Sequence, residues 1–342
     1  MQRPRTRAPG VATVADVARE AGVSRATVSR VINDSPLVTP QTKDLVQDAI
    51  RRTGFVVNAR GRALAIGRAE TVGVLITEPL DELFEDPTYA RILRGVTEGL
   101  SGSGTLPVIF QASTEAERAL ALRSFDRKAV DAVIHLTPYR DPELLDALAG
   151  TGLPVVLCGQ VENGAAPDPR FSSIYADDVA GARLAATHLA ESGRDRIAAV
   201  LGPLDNPATT DRLQGFRDVL GPRLPSERVL FTGWDTSAGI RATQTLLELF
   251  PEVDAILAGS DRIAVGAIAV LNAQGRAVPS DVAIIGFDDH PIAASAVPAL
   301  TTIAQPLQRQ GELAAHTALQ MIAGQSPTVS ELDMRLVVRA SG

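Results

Sequence analysis

The stretch Val14 to Asn33, VADVAREAGVSRATVSRVIN, leaves the chain few ways to begin folding. It holds two short runs with apolar residues at helical spacing, parted by Ala21-Gly22-Val23. In the first run Val14, Val17, Ala18 and Ala21 share a face; in the second Val28, Val31 and Ile32 do. Thr13-Val14-Ala15-Asp16 has the form of a capping box, Ser24 is a good N-cap for the second run, and Gly22 suits the sharp corner between them. Helices this short cannot stand alone. A third, from about Pro40 to Thr53, has Thr39 as cap, Pro40 in its first turn and Gly54 as its stop. Its Leu45, Val46, Ala49 and Ile50 would close a small all-α core, and the pattern predicts a helix-turn-helix. The second helix then turns Arg25, Ala26, Ser29 and Arg30 to solvent, with Thr27 at the edge. Small or hydroxyl residues flanking arginines suit a helix that enters a major groove.

Charge is divided along the chain. Residues 1–68 carry 12 of the 33 Lys and Arg and 5 of the 40 Asp and Glu, a net of +7, which leaves −14 on the remainder. A basic head favours contact with a polyanion, and an acidic body discourages stray adhesion to nucleic acid. Only Lys43 and Lys128 are lysines, so part of the arginine excess is a general preference and no DNA signal. With 342 residues the chain has length for two to three domains and a large core. The basic MQRPRTRAPG start is followed by no apolar run, so a secretory signal is not expected, and no stretch approaches the ~18 apolar residues of a membrane span. A cytoplasmic protein is expected. The single cysteine, Cys158, lies in Val155-Val156-Leu157-Cys158 and reads as an inert buried thiol.

From Thr71 onward short apolar runs alternate with amphipathic stretches. Strands are expected at 72–76, 106–110, 132–136, 155–158, 197–201, 255–258 and 282–286, with helices such as 89–100, 115–125, 180–191, 211–220, 238–250 and 264–274 between them. Buried strands alternating with helices imply parallel sheets in α/β units, and the number suits two successive doubly wound sheets. A ligand would bind between them, at the carboxyl ends of the strands.

The head, through Asp34-Ser35-Pro36, Val38-Thr39-Pro40 and Gly54-Phe55, closely resembles the DNA-binding headpiece of the LacI/GalR family of bacterial repressors. The resemblance extends into the body. Asp177-Asp178 with Gly181 looks like the family's D-N-x-x-G helix start, with Asp178 in the asparagine place. Leu213-Gln214-Gly215-Phe216, Ser260 to Gly266, Val278 to Val282, Ile285 to Asp289 and Pro298 to Ile303 also match. The fold implied is a helix-turn-helix head over residues 1–57, a hinge helix or linker over 58–68, and a two-lobed body over 69–342 like a periplasmic binding protein. Its first lobe would take about 69–172 and 305–328, its second about 173–304 and 329–342.

The resemblance also implies roles. Thr13, Ser24, Arg25, Ala26, Thr27, Ser29, Arg30 and Asn33 would contact operator DNA, with Asn58, Arg62 and Leu64 contributed by the hinge. Leu64 matches the leucine that wedges into the minor groove at the operator centre, where an apolar side chain offsets the cost of unstacking a base step. Val57 departs from the family's proline, and Gly61 stands where alanine is common. A hinge with a mid-helix glycine should depend more on DNA for its order. For a small-molecule effector, a sugar or similar polar metabolite, Asp288, Arg212 and Tyr89 match cleft positions, and Trp234 and Ser260 match less securely. Gly159-Gln160 departs from the acidic-plus-basic pair often found after that strand. A homodimer or a higher oligomer is expected, because one short recognition helix reads too few base pairs.

Enzyme signatures are weak: there is no Walker loop, no G-x-S-x-G elbow and no Cys/His cluster, and neither cofactor nor metal is expected. Asp288-Asp289 could imitate a catalytic pair, but adjacent residues after a strand point opposite ways. The expectation is a ligand-responsive, sequence-specific transcriptional repressor. The competing reading, a solute-binding protein without a regulatory role, accounts for the body and leaves the head unexplained.

Overall fold

The structure, a computed structural model, describes residues 12–32, 35–55, 68–138, 141–159 and 168–342. The chain divides into two compact units, Met1–Glu70 and Thr71–Gly342.

In the first unit α1 (Val14–Ala21), α2 (Arg25–Ile32) and α3 (Pro40–Thr53) enclose Val17, Ala18, Val28, Val31, Val46 and Ala49. The caps follow from local chemistry. The Asp16 carboxylate accepts from the Thr13 N–H at 3.0 Å and hydroxyl at 2.6 Å, Ser24 Oγ accepts from the Thr27 N–H at 3.1 Å, and Thr39 Oγ1 accepts from the Thr42 N–H at 3.3 Å. Gly22 ends α1 in the left-handed conformation at φ 67°, which a side chain would resist. Leu45, expected in the core, is 55% exposed. Two eight-residue helices cover only the middle of the α3 stripe, and Leu45 falls on its open flank.

The second unit contains two six-stranded sheets. The first runs β2 (Leu106–Gln111), β1 (Thr71–Ile76), β3 (Ala132–Leu136), β4 (Val155–Cys158), β5 (Ser172–Ala176), β11 (Val329–Leu332), all parallel. The second runs β7 (Val229–Phe231), β6 (Ile197–Leu201), β8 (Ala255–Ala258), β9 (Ala283–Asp288), β10 (Thr301–Ala304), β12 (Arg335–Val337), parallel except for β12. Helices α4 (Leu80–Glu85), α5 (Pro87–Gly99), α6 (Glu115–Asp126), α7 (Pro142–Gly150) and α13 (Leu307–Ile322) belong to the first lobe. Helices α8 (Asp178–Glu191), α9 (Pro207–Leu220), α10 (Thr236–Leu249), α11 (Asp261–Ala273) and α12 (Pro291–Ser295) belong to the second.

Period-two alternation sends successive strand residues to opposite cores. Val72, Val74 and Ile76 join one cluster with α5 and α13, while Leu75, Val133 and Leu157 join another with α6 and α7. Strands β5, β7, β10, β11 and β12 were not expected, because their sequences are short or polar. In β10 the buried Thr301 is answered by the chain's last residues: its N–H donates to Ser341 Oγ at 2.8 Å and its hydroxyl to Gly342 O at 3.0 Å. The unexpected strands also move the lobe boundaries. The chain leaves the first sheet after Ala176, returns after Ala304 and leaves again after Leu332, so the boundaries at 172 and 328 fall short by one strand each.

Candidate functional site

Among the described residues of the head, the arginines divide into paired and unpaired ones. Arg19 pairs with Asp16 at 3.2 Å, Arg51 with Asp48 at 2.8 Å, and Arg52 with both Asp48 and Glu20. Arg25 and Arg30, exposed on α2, have no ion pair among the described residues. Ser24, Ala26 and Ser29 are exposed beside them, and Thr27 is half-buried at the edge, as the helical spacing predicts. Thr13 is half-buried, tied to Asp16 at the start of α1, where the first-turn N–H groups favour an anion. Asn33, Asn58, Arg62 and Leu64, with Val57 and Gly61, lie outside the described residues.

In the second unit a cleft of about 520 Å³ opens between the lobes at the carboxyl ends of the strands. Tyr89, Arg212, Trp234, Ser260 and Asp288 all line it. Tyr89 is held on the first turn of α5, whose start is capped by Asp86, a carboxylate accepting from the Thr88 N–H at 2.8 Å. Arg212 enters from α9, Trp234 from the loop before α10, Ser260 from the start of α11 and Asp288 from the end of β9. Asp288 has φ 104°, a left-handed conformation unusual for a side-chain-bearing residue, and such strain collects at functional sites.

Arg212 is the hub. Its Nε donates to Asp178 Oδ1 at 2.7 Å, its Nη2 lies 3.5 Å from Asp288 Oδ1, and its Nη1 donates to the Gly259 carbonyl. The guanidinium stacks on Phe287, 3.8 Å from the ring centroid, and sits 5.6 Å from that of Trp234. Gln305 Nε2 donates to Asp288 Oδ1 at 2.5 Å, while Asp289 turns the other way to accept from Arg339 at 2.6 Å. Asp288 and Asp289 are therefore no catalytic pair. Behind them Asp261 accepts from Thr302 Oγ1 at 2.6 Å and from the His290 N–H at 2.7 Å.

Burial pushes the Asp178 and Asp288 carboxyls above their ordinary value, against the opposing pull of Arg212. For Arg212 burial acts downward, and the two carboxylates outweigh it, leaving the guanidinium charged. Burial also raises Asp211, next to Arg212, to about 6, with Asp178 and Asp177 adding to the rise. Cys158 lines the cleft but is 1% exposed, and burial pushes its thiol to about 12, so it is no nucleophile. Ser260 is largely spent on structure: its Oγ accepts from the Ile263 N–H at 3.2 Å and donates to Trp234 O at 3.3 Å.

Several cleft residues were missed in the sequence. Asp178 stood out as a motif position without a role, whereas Asp86, Asp211 and Gln305 carry no local signal. Asp178 and Gln305 lock the hub, and Asp86 ties the lobes together. Arg262 on α11 reaches Asp86 of the first lobe at 3.2 Å, and His290 Nε2 lies 3.2 Å from Thr88 Oγ1.

The profile for bacterial regulatory proteins of the lacI family matches residues 13–58, and that for a periplasmic binding protein-like domain matches residues 186–342. The HTH-type transcriptional regulator CelR of Thermobifida fusca is 36% identical over 335 residues, which cover 96% of this chain and 98% of that protein. Among solved structures, a transcriptional regulator CelR–cellobiose complex superposes with a TM-score of 0.76 at 35% identity, covering 97% of this chain and 100% of that one. The lac repressor dimer bound to operator and the anti-inducer ONPF superposes with a TM-score of 0.85 at 25% identity, covering 97% and 99%. A DNA-binding head on a ligand-cleft body accounts for both units, which solute capture alone does not. The chain belongs to the lacI family of bacterial regulatory proteins.

Proposed function

We propose that this regulator is a cytoplasmic homodimeric repressor whose effector is a sugar held in the cleft between the body lobes. The carrying observation is the buried Arg212–Asp288 pair in a cleft of about 520 Å³ that Tyr89 and Trp234 also line. Polar groups in fixed orientation grip hydroxyls, and aromatic faces take the C–H surface of a sugar ring. Tyr89, Arg212, Trp234, Ser260 and Asp288 are the proposed effector contacts. CelR, whose solved complex contains cellobiose, supports a disaccharide as the first candidate.

The head, residues 1–57, would lay α2 in the major groove. Arg25, Ala26, Ser29 and Arg30 would meet base edges, and Ser24, Thr27, Asn33 and Thr13 would meet the backbone or groove edge. Residues 58–68 would form the hinge, with Leu64 as minor-groove wedge and Asn58 and Arg62 beside it. The body, 69–342, would supply the dimer interface. Effector binding would change the angle between lobes and so bias a two-state equilibrium of operator affinity.

The test is a thermal-melting screen with cellobiose, ribose and other free sugars, followed by gel-shift assays on a pseudo-palindromic operator. A sugar at 100 times its dissociation constant adds about 2.7 kcal/mol of stability. The expected result is one sugar that raises the melting temperature and also alters operator affinity. Stabilisation without any change in operator binding would restrict the body to ligand capture.

A further inference from the structure

The cleft holds one carboxylate with no hydrogen-bond or ion-pair partner among the described residues, although the Arg212 charge acts on it. This is Asp211, which lines the cleft and is 6% exposed. The two acids whose charge reaches it are engaged: Asp178 accepts from Arg212 at 2.7 Å and Asp177 from the Ala180 N–H at 2.8 Å; across the cleft Asp288 accepts from Gln305 at 2.5 Å. Arg212, the only cation among the described lining residues, is committed to Asp178, Asp288 and the Gly259 carbonyl. Its charge is already balanced by these two carboxylates, so it brings no surplus positive charge to an anion. Further out, Glu78, Glu82, Asp205 and Asp235 add negative charge to the lining.

A carboxylate is an acceptor only. Held nearly out of water beside two other acids, it is costly unless a donor arrives. Hydroxyl and ammonium groups donate; phosphate and carboxylate groups do not, and they would meet the surplus negative charge. We propose that Asp211 is an effector-binding carboxylate, and that the cleft admits uncharged or ammonium-bearing polyols and rejects phosphorylated sugars and sugar acids. The assignment rests on the sugar reading above and sharpens it to a charge class. The rise of the Asp211 carboxyl to about 6 agrees with a group lacking a partner.

The experiment compares the full-length protein with Asp211→Asn, which keeps size and one acceptor while removing the charge. The probes are cellobiose, glucose and ribose, each beside its phosphate ester, with glucosamine as the cationic member. Calorimetric titration should find a free sugar bound and its phosphate ester at least about 100-fold weaker. Asp211→Asn should weaken the bound sugar about tenfold and glucosamine further, while raising the melting temperature of the ligand-free protein. Unchanged affinities in the variant, a lower ligand-free melting temperature, or a phosphate ester bound as tightly as its free sugar would overturn the assignment and leave the sugar reading standing. No binding by any probe would overturn both.

Discussion

Arg212 shows how one side chain can serve the fold and the site together. It is 4% exposed and surrounded by Asp178, Asp288, a carbonyl and the Phe287 ring, so deleting it strands two buried carboxylates. Arg212→Ala should cost about 3–5 kcal/mol of body stability in addition to any ligand binding. Asp288→Asn keeps the volume and an acceptor for Gln305; it should abolish the ligand response at a much smaller cost. Denaturant melts of the two variants, set beside ligand titrations, check the contrast, and equal destabilisation would show Asp288 to be as structural as Arg212. His135 on β3 is a second informative residue. It is 1% exposed, neither ring nitrogen has a hydrogen-bond partner among the described residues, and burial lowers it to about 4. The unfolded chain binds this proton near pH 6.5 and the folded one only near 4, so its stability contribution is full above 6.5 and falls as pH drops between those values. Buried carboxyls such as Asp211, raised on folding, act in the opposite sense over an overlapping range. The His135 effect must therefore be taken as a difference. Stability measured at pH 4.5 and 7 should fall by about 2 kcal/mol less in His135→Leu than in the parent.

At the scale of elements, α5 and α13 cross where glycines let the backbones touch. A Cβ on Gly95 would run into the Gln308 carbonyl, and one on Gly311 into the Ile92 carbonyl. Neither obstacle is a flexible side-chain end that could move aside. Gly95→Ala should thus destabilise the body by at least about 1–3 kcal/mol, read from its melting transition, because α5 must shift and carries Tyr89 with it. Ligand affinity should fall in the same variant even though Gly95 does not line the cleft. On α2 the exposed Arg25 opens the helix, so Arg25→Ala should change the operator consensus recovered from a random library. Thr13→Ala, at the start of α1, should instead weaken all sequences about equally. An unchanged consensus with Arg25→Ala would place base recognition elsewhere on the helix.

At the scale of the molecule, the lobes are joined on one side of the cleft by polar contacts that involve no ligand. Arg262 of the second lobe meets Asp86 of the first at 3.2 Å, and Arg91 of the first approaches the Asp288 carbonyl at 3.5 Å. Arg262 is outside the cleft lining, so its removal tests lobe coupling without touching the effector. Arg262→Ala should weaken effector binding about three- to tenfold, through loss of a contact that favours apposed lobes. The operator response to effector should weaken as well, and by linkage the remaining factor must equal that by which operator shifts effector affinity, measurable by gel shift across a ligand series. An unaltered response would mean that the pair is screened and idle.

Sequence alone determined what depends on neighbours along the chain. The caps at Thr13, Ser24 and Thr39, the Gly22 corner and the exposed face of α2 are all set within four residues, and all are where the spelling puts them. The runs that became β1, β3, β4, β6 and β8 are almost wholly apolar, Thr71 and His135 excepted, because both faces of a parallel sheet are covered, so composition suffices to find them. Tyr89, Arg212, Trp234, Ser260 and Asp288 could be placed at a cleft by family motif, yet what each does there could not. Only the tertiary structure decided that Ser260 is occupied as a cap, that Arg212 is locked between Asp178 and Asp288, and that Asp211 has no partner among the described residues. It also decided that the polar β5 and β10 are strands. Their Ser and Thr hydroxyls can be buried only because partners such as Thr328, Ser341 and Gly342 arrive from distant parts of the chain. A side chain's partner across the fold depends on which elements pack together, and that information is not carried by any local stretch of sequence.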